Sequence, residues 1–300
     1  MSADILIVGS GALATLFAAR LAMAGLDVCM LATWPEGLAA LRERGVCLDG
    51  EESLSVRAIS DPADCRGVKF ALVLVKSWQT ERAAHQLANC LAGDGLAVTL
   101  QNGLGNDVFL SKILGRRHVL RGVTTLGATL LAPGLVRSGG GGDITLEARS
   151  NLSRLEEMLR VAKFNVNIIE DVEPAVWGKL MVNAAINPLT ALLRVKNGEI
   201  LANPSACALM GELACEAASV AEALGVALPF LAPNRFVEGV ALRTAGNISS
   251  MLQDVLRGGP TEVDAINGAV VHAGEQKGVS TPANRVVWSL VKALPLHSKI

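Results

Sequence analysis

Apolar residues fall in short continuous runs along the first half of the chain and at helical spacing along the second. Residues 5–8 read Ile-Leu-Ile-Val and residues 28–31 read Val-Cys-Met-Leu; 70–75 and 96–100 are similar runs. Runs of this length without polar alternation suit parallel strands buried on both faces. Residues 12–24, 36–44 and 81–91 between them are rich in helix formers, with Gly25 and Gly45 placed to end the first two. The alternation predicts a doubly wound α/β domain. Further along, 123–131 and 143–147 read as strands around a turn at Pro133-Gly134 and the glycine run 139–142. That run leads into a strand rather than a helix, so it reads as a flexible connection and not as a phosphate loop.

From about residue 171 the period changes to that of helices. Pro174 suits a first turn, and helical apolar spacing continues to Leu193. Residues 206–224, 237–256, 263–277 and 284–294 follow as helices divided by Gly or Pro. The expectation is an α/β N-terminal domain of Rossmann-like, doubly wound type over 1–170, followed by an all-α domain over 171–300.

Composition narrows the partners. The chain is 51% hydrophobic and 18% charged, with a formal net charge of −1 and no Lys or Arg run. This disfavours nucleic acid and membrane surfaces and suits a small ligand. The apolar stretch 5–19 is preceded by Asp4, interrupted at Gly9-Ser10-Gly11 and closed by Arg20, which fits neither a signal peptide nor a membrane span. A cytoplasmic location is expected. Six cysteines form no C-x-x-C pair and four histidines are scattered, so reduced thiols and no metal site are expected.

The segment Gly9-Ser10-Gly11-Ala12-Leu13-Ala14 follows one predicted strand and opens a helix. In that context the first glycine permits a tight turn and the second lets backbone approach a pyrophosphate; Ala14 takes the third, packing position. The helix N-terminus offers free N–H groups to phosphate. A turn glycine pair in a cofactor-free α/β protein is the alternative. The second strand ends in Ala32-Thr33-Trp34-Pro35, neither acidic nor basic, so the choice between NADPH and NADH stays open. Arg42 and Arg44 lie nearby and are equally explained as exposed helix charges.

Lys179, Asn183 and Asn187 recur every four residues and form one stripe on a helix whose other positions are Leu, Met, Val, Ala and Ile. The stripe is either a solvated face or an amide-lined pocket wall headed by a lysine; asparagine is a poor helix former, which counts against the first. Downstream, Asn247 and Ser250 share a predicted helix face, and Glu262 opens a new periodic stretch with Thr261 as a cap. A carboxylate at a helix start is also simply favourable to the dipole.

With these segments in view the chain resembles the ketopantoate reductase (2-dehydropantoate 2-reductase) family along nearly its whole length. The resemblance rests on residues 9–13, 75–80, 101–105 and 122–128, and more specifically on 179–190, 197–199, 247–254 and 261–268. It implies that Lys179 is the general acid for the C2 carbonyl oxygen, with Glu262 near the lysine and the ligands. It implies substrate contacts at Asn183, Asn187, Asn197 and Ser250, a further one at Asn247, and Asn102 at the junction of cofactor and substrate. On the cofactor side it implies Gly9, Ser10, Gly11, Ala12, Leu13, Ala14, Lys76, Ala128 and Glu262. Thr33 stands where many members place a base for the 2′-phosphate, so NADPH is the family expectation without its usual anchor.

The activity so implied is NADPH-dependent reduction of 2-dehydropantoate to (R)-pantoate, towards pantothenate and coenzyme A, by an enzyme for which a homodimer is allowed. A paralogous reductase of another branched 2-oxo acid is the alternative enzyme. A non-catalytic dinucleotide sensor is the alternative of another class, but it would be expected to lose the lysine and glutamate that this chain keeps.

Overall fold

The computed structural model describes residues 3–295; residues 1–2 and 296–300, the outer ends of the two expected domains, lie outside the described residues. Two compact units are present, one of Met1–Gln101 with Asn106–Val172, the other of Asn102–Gly105 with Glu173–Ile300.

The first unit begins with β1 (Ile5–Val8), α1 (Ala12–Met23), β2 (Val28–Leu31), α2 (Pro35–Arg44), β3 (Cys47–Leu48) and β4 (Arg57–Ile59). It continues with β5 (Val68–Val73), α3 (Thr80–Ala88), β6 (Leu91–Thr99), α4 (Asn106–Leu114) and β7 (Val119–Thr124). β8 (Ala128–Ala132), β9 (Leu135–Ser138), β10 (Asp143–Glu147), α5 (Ser153–Val161) and β11 (Asn165–Ile169) complete it. The main sheet runs β11-β10-β7-β6-β5-β1-β2-β4, and β3-β9-β8 form a small second sheet. β1 pairs in parallel with β2 on one side and β5 on the other. The strand order therefore reverses at β1, the topological switch point of a doubly wound fold. All four residues of β1 and of β2 are buried, as their unbroken apolar runs require. Within the main sheet of the described residues, β7 and β10 alone meet antiparallel; β8 and β9 of the small sheet also do so.

The strand expected over 123–131 is two strands. Thr124 turns the chain: its hydroxyl donates to the Asp143 carbonyl (2.9 Å) and accepts the Leu126 N–H (3.2 Å). The ends of the glycine run 139–142 are fixed rather than loose. Gly139 N–H donates to Gly127 O at 2.8 Å, and a Cβ on Gly142 would lie 2.8 Å from the Leu126 nitrogen. The helix expected over 81–91 ends at Ala88, because Leu91 already belongs to β6.

The second unit is helical: α6 (Glu173–Leu193), α7 (Glu199–Ala202), α8 (Pro204–Ala223), α9 (Pro233–Arg243) and α10 (Ser250–Leu256). A π-helical turn, Asp264–Gly268, then leads into α11 (Ala269–Lys277) and α12 (Pro282–Lys292). Trp177, Met181, Met210, Leu213 and Ile266 share its core. The single helix expected over 237–256 is broken between Arg243 and Ser250. Backbone N–H groups of Asn197 and Gly198 take the carbonyls of Asn247 (3.1 Å) and Ala245 (3.2 Å), which holds that stretch out of helix. The start of the expected helix 263–277 is the π turn, closed by Gly268 N–H on Val263 O at 3.0 Å.

Phe17 of α1 is fully buried and stacks on Phe164, with ring centroids 4.5 Å apart. Phe17→Ala should destabilise the first unit by about 3–5 kcal/mol, read as a lowered urea midpoint. A midpoint unchanged from the parent would mean the aromatic pair is not part of what holds α1 on the sheet.

Candidate active site

In the first unit the chain leaves β1 through Gly9, whose φ of +126° excludes ordinary side chains. A Cβ there would stand 3.3 Å from the Leu74 carbonyl and from Val75 Cγ1, so backbone must pass close at the end of β5. Gly11 caps α1 from extended backbone with no side-chain cap, and the first turn holds no acid. The space around the absent Gly11 Cβ is open, while Ala14 is wholly buried. Ser10, Ala12 and Leu13 are half-buried. The turn thus has the features that an anion needs: close backbone, unoccupied N–H groups and no competing carboxylate.

Lys76 follows β5, half-buried, and its N–H donates to Gln79 Oε1 at 3.2 Å. Gln101 was not singled out from the sequence, yet it organises this end of the sheet. Its Nε2 donates to the Val75 carbonyl and the Thr80 hydroxyl, both at 2.9 Å, and its Oε1 accepts from Thr99 at 3.0 Å. Ala128 opens β8 opposite Ser138. At the end of β2, Thr33 is exposed and the ring of Trp34 covers Gly37, where a Cβ would fall 2.4 Å from it. Arg42 Nε donates to the Ala58 carbonyl (3.0 Å) and Arg44 lies beside Glu43 (3.6 Å), which accounts for both cations within the fold.

In the second unit, α6 carries the stripe. Lys179 and Asn183 are half-buried, Asn187 is buried, and Thr190, one turn on, is fully buried. A solvated face is thereby excluded. Burial pushes the Lys179 ammonium down to about 8, against the pull of the Glu262 carboxylate, which raises it. Thr190 Oγ1 reaches the Asn187 carbonyl at 2.8 Å and Ser249 Oγ at 2.6 Å. Ser249 is buried and caps α10 by accepting the Leu252 N–H (3.1 Å). Its duties are structural, and Ser250, the first residue of α10, is half-buried.

Asn197 is buried, donates through Nδ2 to Thr244 Oγ1 (3.0 Å), and has an Oδ1 with no protein partner among the described residues. Asn247 is exposed and lies in the break before α10. It does not share a helix face with Ser250, because its carbonyl is held by the Asn197 N–H instead.

Glu262 is buried and its Oε2 accepts Asn102 Nδ2 at 3.2 Å. Asn102 is half-buried and belongs with the helical unit. The segment after it docks through Leu104 N–H on the Ala265 carbonyl (3.0 Å). Gly103, at φ +83°, admits no side chain, since a Cβ would sit 2.3 Å from that same oxygen. The cap expected at Thr261 reduces to a 3.4 Å contact with the Val263 N–H.

A second polar group went unremarked in the sequence. Asn267 and Asn284, both fully buried, bond to each other at 3.0 Å. Asn267 Nδ2 also donates to the Ala184 carbonyl of α6 at 2.9 Å. Asn284 Nδ2 reaches Leu213 O (3.1 Å) and Glu216 Oε2 (2.8 Å), and Glu216 also accepts the backbone N–H groups of Ala283 and Asn284 at the start of α12. The available signal was an asparagine at an apolar position of the helical pattern. Chemically, the second unit assembles a cation poised near neutrality, a row of amides and a buried carboxylate, a set suited to hold a small polar acid and protonate its oxygen.

Two family models match the chain, Ketopantoate reductase PanE/ApbA over residues 5–151 and Ketopantoate reductase PanE/ApbA C terminal over 171–295. The 2-dehydropantoate 2-reductase of Archaeoglobus fulgidus is 39% identical over 295 residues, covering 96% of each chain. That of Pyrobaculum aerophilum is 36% identical, again over 96% of each. A PanE/ApbA family ketopantoate reductase from Ralstonia eutropha superposes with a TM-score of 0.90 at 32% identity, over 97% of each chain. D-mandelate dehydrogenase with NADH and anilino(oxo)acetate has the same fold, with a TM-score of 0.90 at 24% identity, over 96% of this chain and 97% of its own. With an α/β unit opened by a glycine turn and a helical unit carrying the lysine–amide stripe, the chain belongs to the ketopantoate reductase family.

Proposed function

We propose that this protein reduces 2-dehydropantoate to (R)-pantoate with NADPH, a step towards pantothenate and coenzyme A. The observation that carries the reading is Lys179, half-buried at the head of the amide stripe and tuned to about 8, with the Glu262 carboxylate acting on it.

The first unit is the dinucleotide-binding domain in this reading, and its residues fit the group. Gly9 and Gly11 clear the backbone, Ala14 packs α1 against the sheet, and the uncapped N–H groups of Ala12, Leu13 and Ala14 suit a pyrophosphate. Ser10, Lys76 and Ala128 complete the cofactor side of this unit. When bound, the reduced nicotinamide supplies the hydride. Thr33 at the end of β2 brings no carboxylate to repel a 2′-phosphate, so the position is compatible with NADPH, the cofactor the family resemblance implies.

The second unit is the substrate domain. Lys179 donates its proton to the C2 oxygen as negative charge develops there, and its ammonium stabilises that charge beforehand. Burial weakens the lysine as a base, and the Glu262 field offsets part of that loss. Asn102 orients the Glu262 carboxylate. Asn183, Asn187, Asn197, Asn247 and Ser250 offer amides and a hydroxyl to the carboxylate and free hydroxyl of the substrate, and the unpartnered Asn197 Oδ1 is an acceptor for that hydroxyl.

Lys179→Ala should lower kcat by about 10²–10⁴-fold with NADPH affinity nearly unchanged, measured by steady-state assay and cofactor titration. Turnover close to the parent's would remove the lysine from the mechanism. A general acid works only while protonated, so kcat with ketopantoate should fall as pH rises through about 8; a profile flat to pH 10 would contradict this role. Cofactor choice has its own readout: 2′,5′-ADP should bind at least about tenfold tighter than 5′-AMP, a difference near 1.4 kcal/mol. Equal affinities would place the preference with NADH.

A further inference from the structure

We propose that Asn267 is a positioning residue that sets the Lys179 stripe against Glu262 by supplying the hydrogen bond that Pro188 cannot make. The inference rests on the roles proposed above for Lys179 and Glu262.

In an α-helix each carbonyl accepts the N–H four residues on. The residue four after Ala184 is Pro188, inside α6, and proline has no N–H. Ala184 is wholly buried, so its carbonyl lies away from bulk solvent. Asn267 Nδ2 donates to that oxygen at 2.9 Å. The bond joins two particular places. Ala184 adjoins Asn183 on the stripe headed by Lys179, and Asn267 lies in the π-helical turn that begins just after Glu262.

The turn itself is clamped from α12. Asn284, Trp288 and Lys292 recur every four residues and all bond to it: Asn284 Oδ1 accepts from Asn267, while Trp288 Nε1 and Lys292 Nζ donate to Asp264 Oδ1 at 2.7 and 2.9 Å. A Cβ on Gly268 would stand 2.9 Å from the Trp288 ring, so the turn lies flat against α12. Asn284 is fixed in turn by Glu216 of α8. Through this clamp α12 and α8 hold the Glu262 segment, and the Asn267 amide carries that placement to α6. An apolar residue could fill the same volume but has no donor for either oxygen. The charged group whose field acts on Lys179 is Glu262, and that field raises the lysine. Loosening the link should therefore let Lys179 titrate lower.

The test is a four-protein cycle of the parent, Asn267→Ala, Pro188→Ala and the double variant. Alanine at 188 restores a backbone N–H for the Ala184 carbonyl. Asn267→Ala alone should lower kcat roughly ten- to hundredfold, with KM less affected, and move the basic limb of the pH profile to lower pH. In the Pro188→Ala background the same substitution should cost several-fold less and move the limb less. Equal cost in both backgrounds, or an unmoved limb, overturns the proposal. If Asn267→Ala folds only together with Pro188→Ala, that rescue is itself the expected coupling. If neither folds, Asn267→Ser, which keeps one donor on a shorter side chain, is read for the same displacement, and its absence overturns the proposal. Lys179 titration is also followed without substrate, by pH-dependent acetylation of its peptide. A shift with rescue in a protein that reduces no 2-oxo acid would retain the link and discard the proposed function. Normal ketopantoate turnover with no shift would discard the link alone.

Discussion

A proline in the middle of a buried helix creates a debt that some other residue must settle. Interior proline costs about 3 kcal/mol in an isolated helix, and an unsatisfied buried carbonyl adds about 1–3 kcal/mol. Pro188 and the Ala184 carbonyl present this situation within α6. The Asn267 amide removes the second cost and leaves the first. A helix that carries such a defect next to Asn187, and a partner that answers it from the Glu262 turn, couple two elements far apart in sequence. Packing among Leu, Met, Val and Ala side chains is tolerant of small sliding. A directional bond to one oxygen is not.

The same turn and the residues leading into it gather several polar groups of the helical unit. The Ala265 carbonyl accepts from Leu104, Glu262 from Asn102, and Asp264 from Trp288 and Lys292, while Asn267 donates to Ala184 and Asn284. A π-helical closure suits this use, because widening the helix redirects carbonyls and side chains that a regular turn would keep along its axis. The charges are balanced correspondingly. Burial raises the Asp264 carboxyl, yet the donors from Lys292 and Trp288 outweigh it and hold Asp264 below the usual carboxylate range. Asp264 therefore remains a firm anion that keeps α12 on the turn at the pH where Lys179 is poised to change charge.

Local patterns and distant partners differ in how far the sequence discloses them. β1, β2 and the Gly9-Ser10-Gly11 turn were legible because strand burial and the glycine conformation are properties of consecutive residues. The stripe of Lys179, Asn183 and Asn187 was legible as a stripe, but its character needed the buried positions of Asn187 and Thr190. The break before α10 was not legible, since the residues that cause it, Asn197 and Gly198, lie in a different segment. The division at 125–127 depends likewise on Asp143 and Gly139. Asn267 reads in sequence as an interruption of apolar spacing, and acquires meaning only beside the proline of another helix. The family resemblance named candidate site residues that pattern alone left ambiguous, Ser250 among them, but it did not disclose that the neighbouring Ser249 is committed to a cap.

That distinction bears on what the stripe can recognise. Its deep end is occupied by the fold: Thr190 is spent on Ser249 and the Asn187 carbonyl. Its shallow end, Lys179 and Asn183, stays half-buried, and Asn197 keeps one acceptor without a protein partner among the described residues. A substrate that brings both a carbonyl to the lysine and a hydroxyl to an amide would satisfy both ends of this polar set. A 2-oxo acid lacking the hydroxyl would leave Asn197 Oδ1 buried and unpaired, which costs about 1–3 kcal/mol. A site built around a hydrogen bond rejects an analogue that lacks it more strongly than a pocket rejects a missing methylene, so under the proposed function this acceptor would favour hydroxylated 2-oxo acids over their simple branched counterparts.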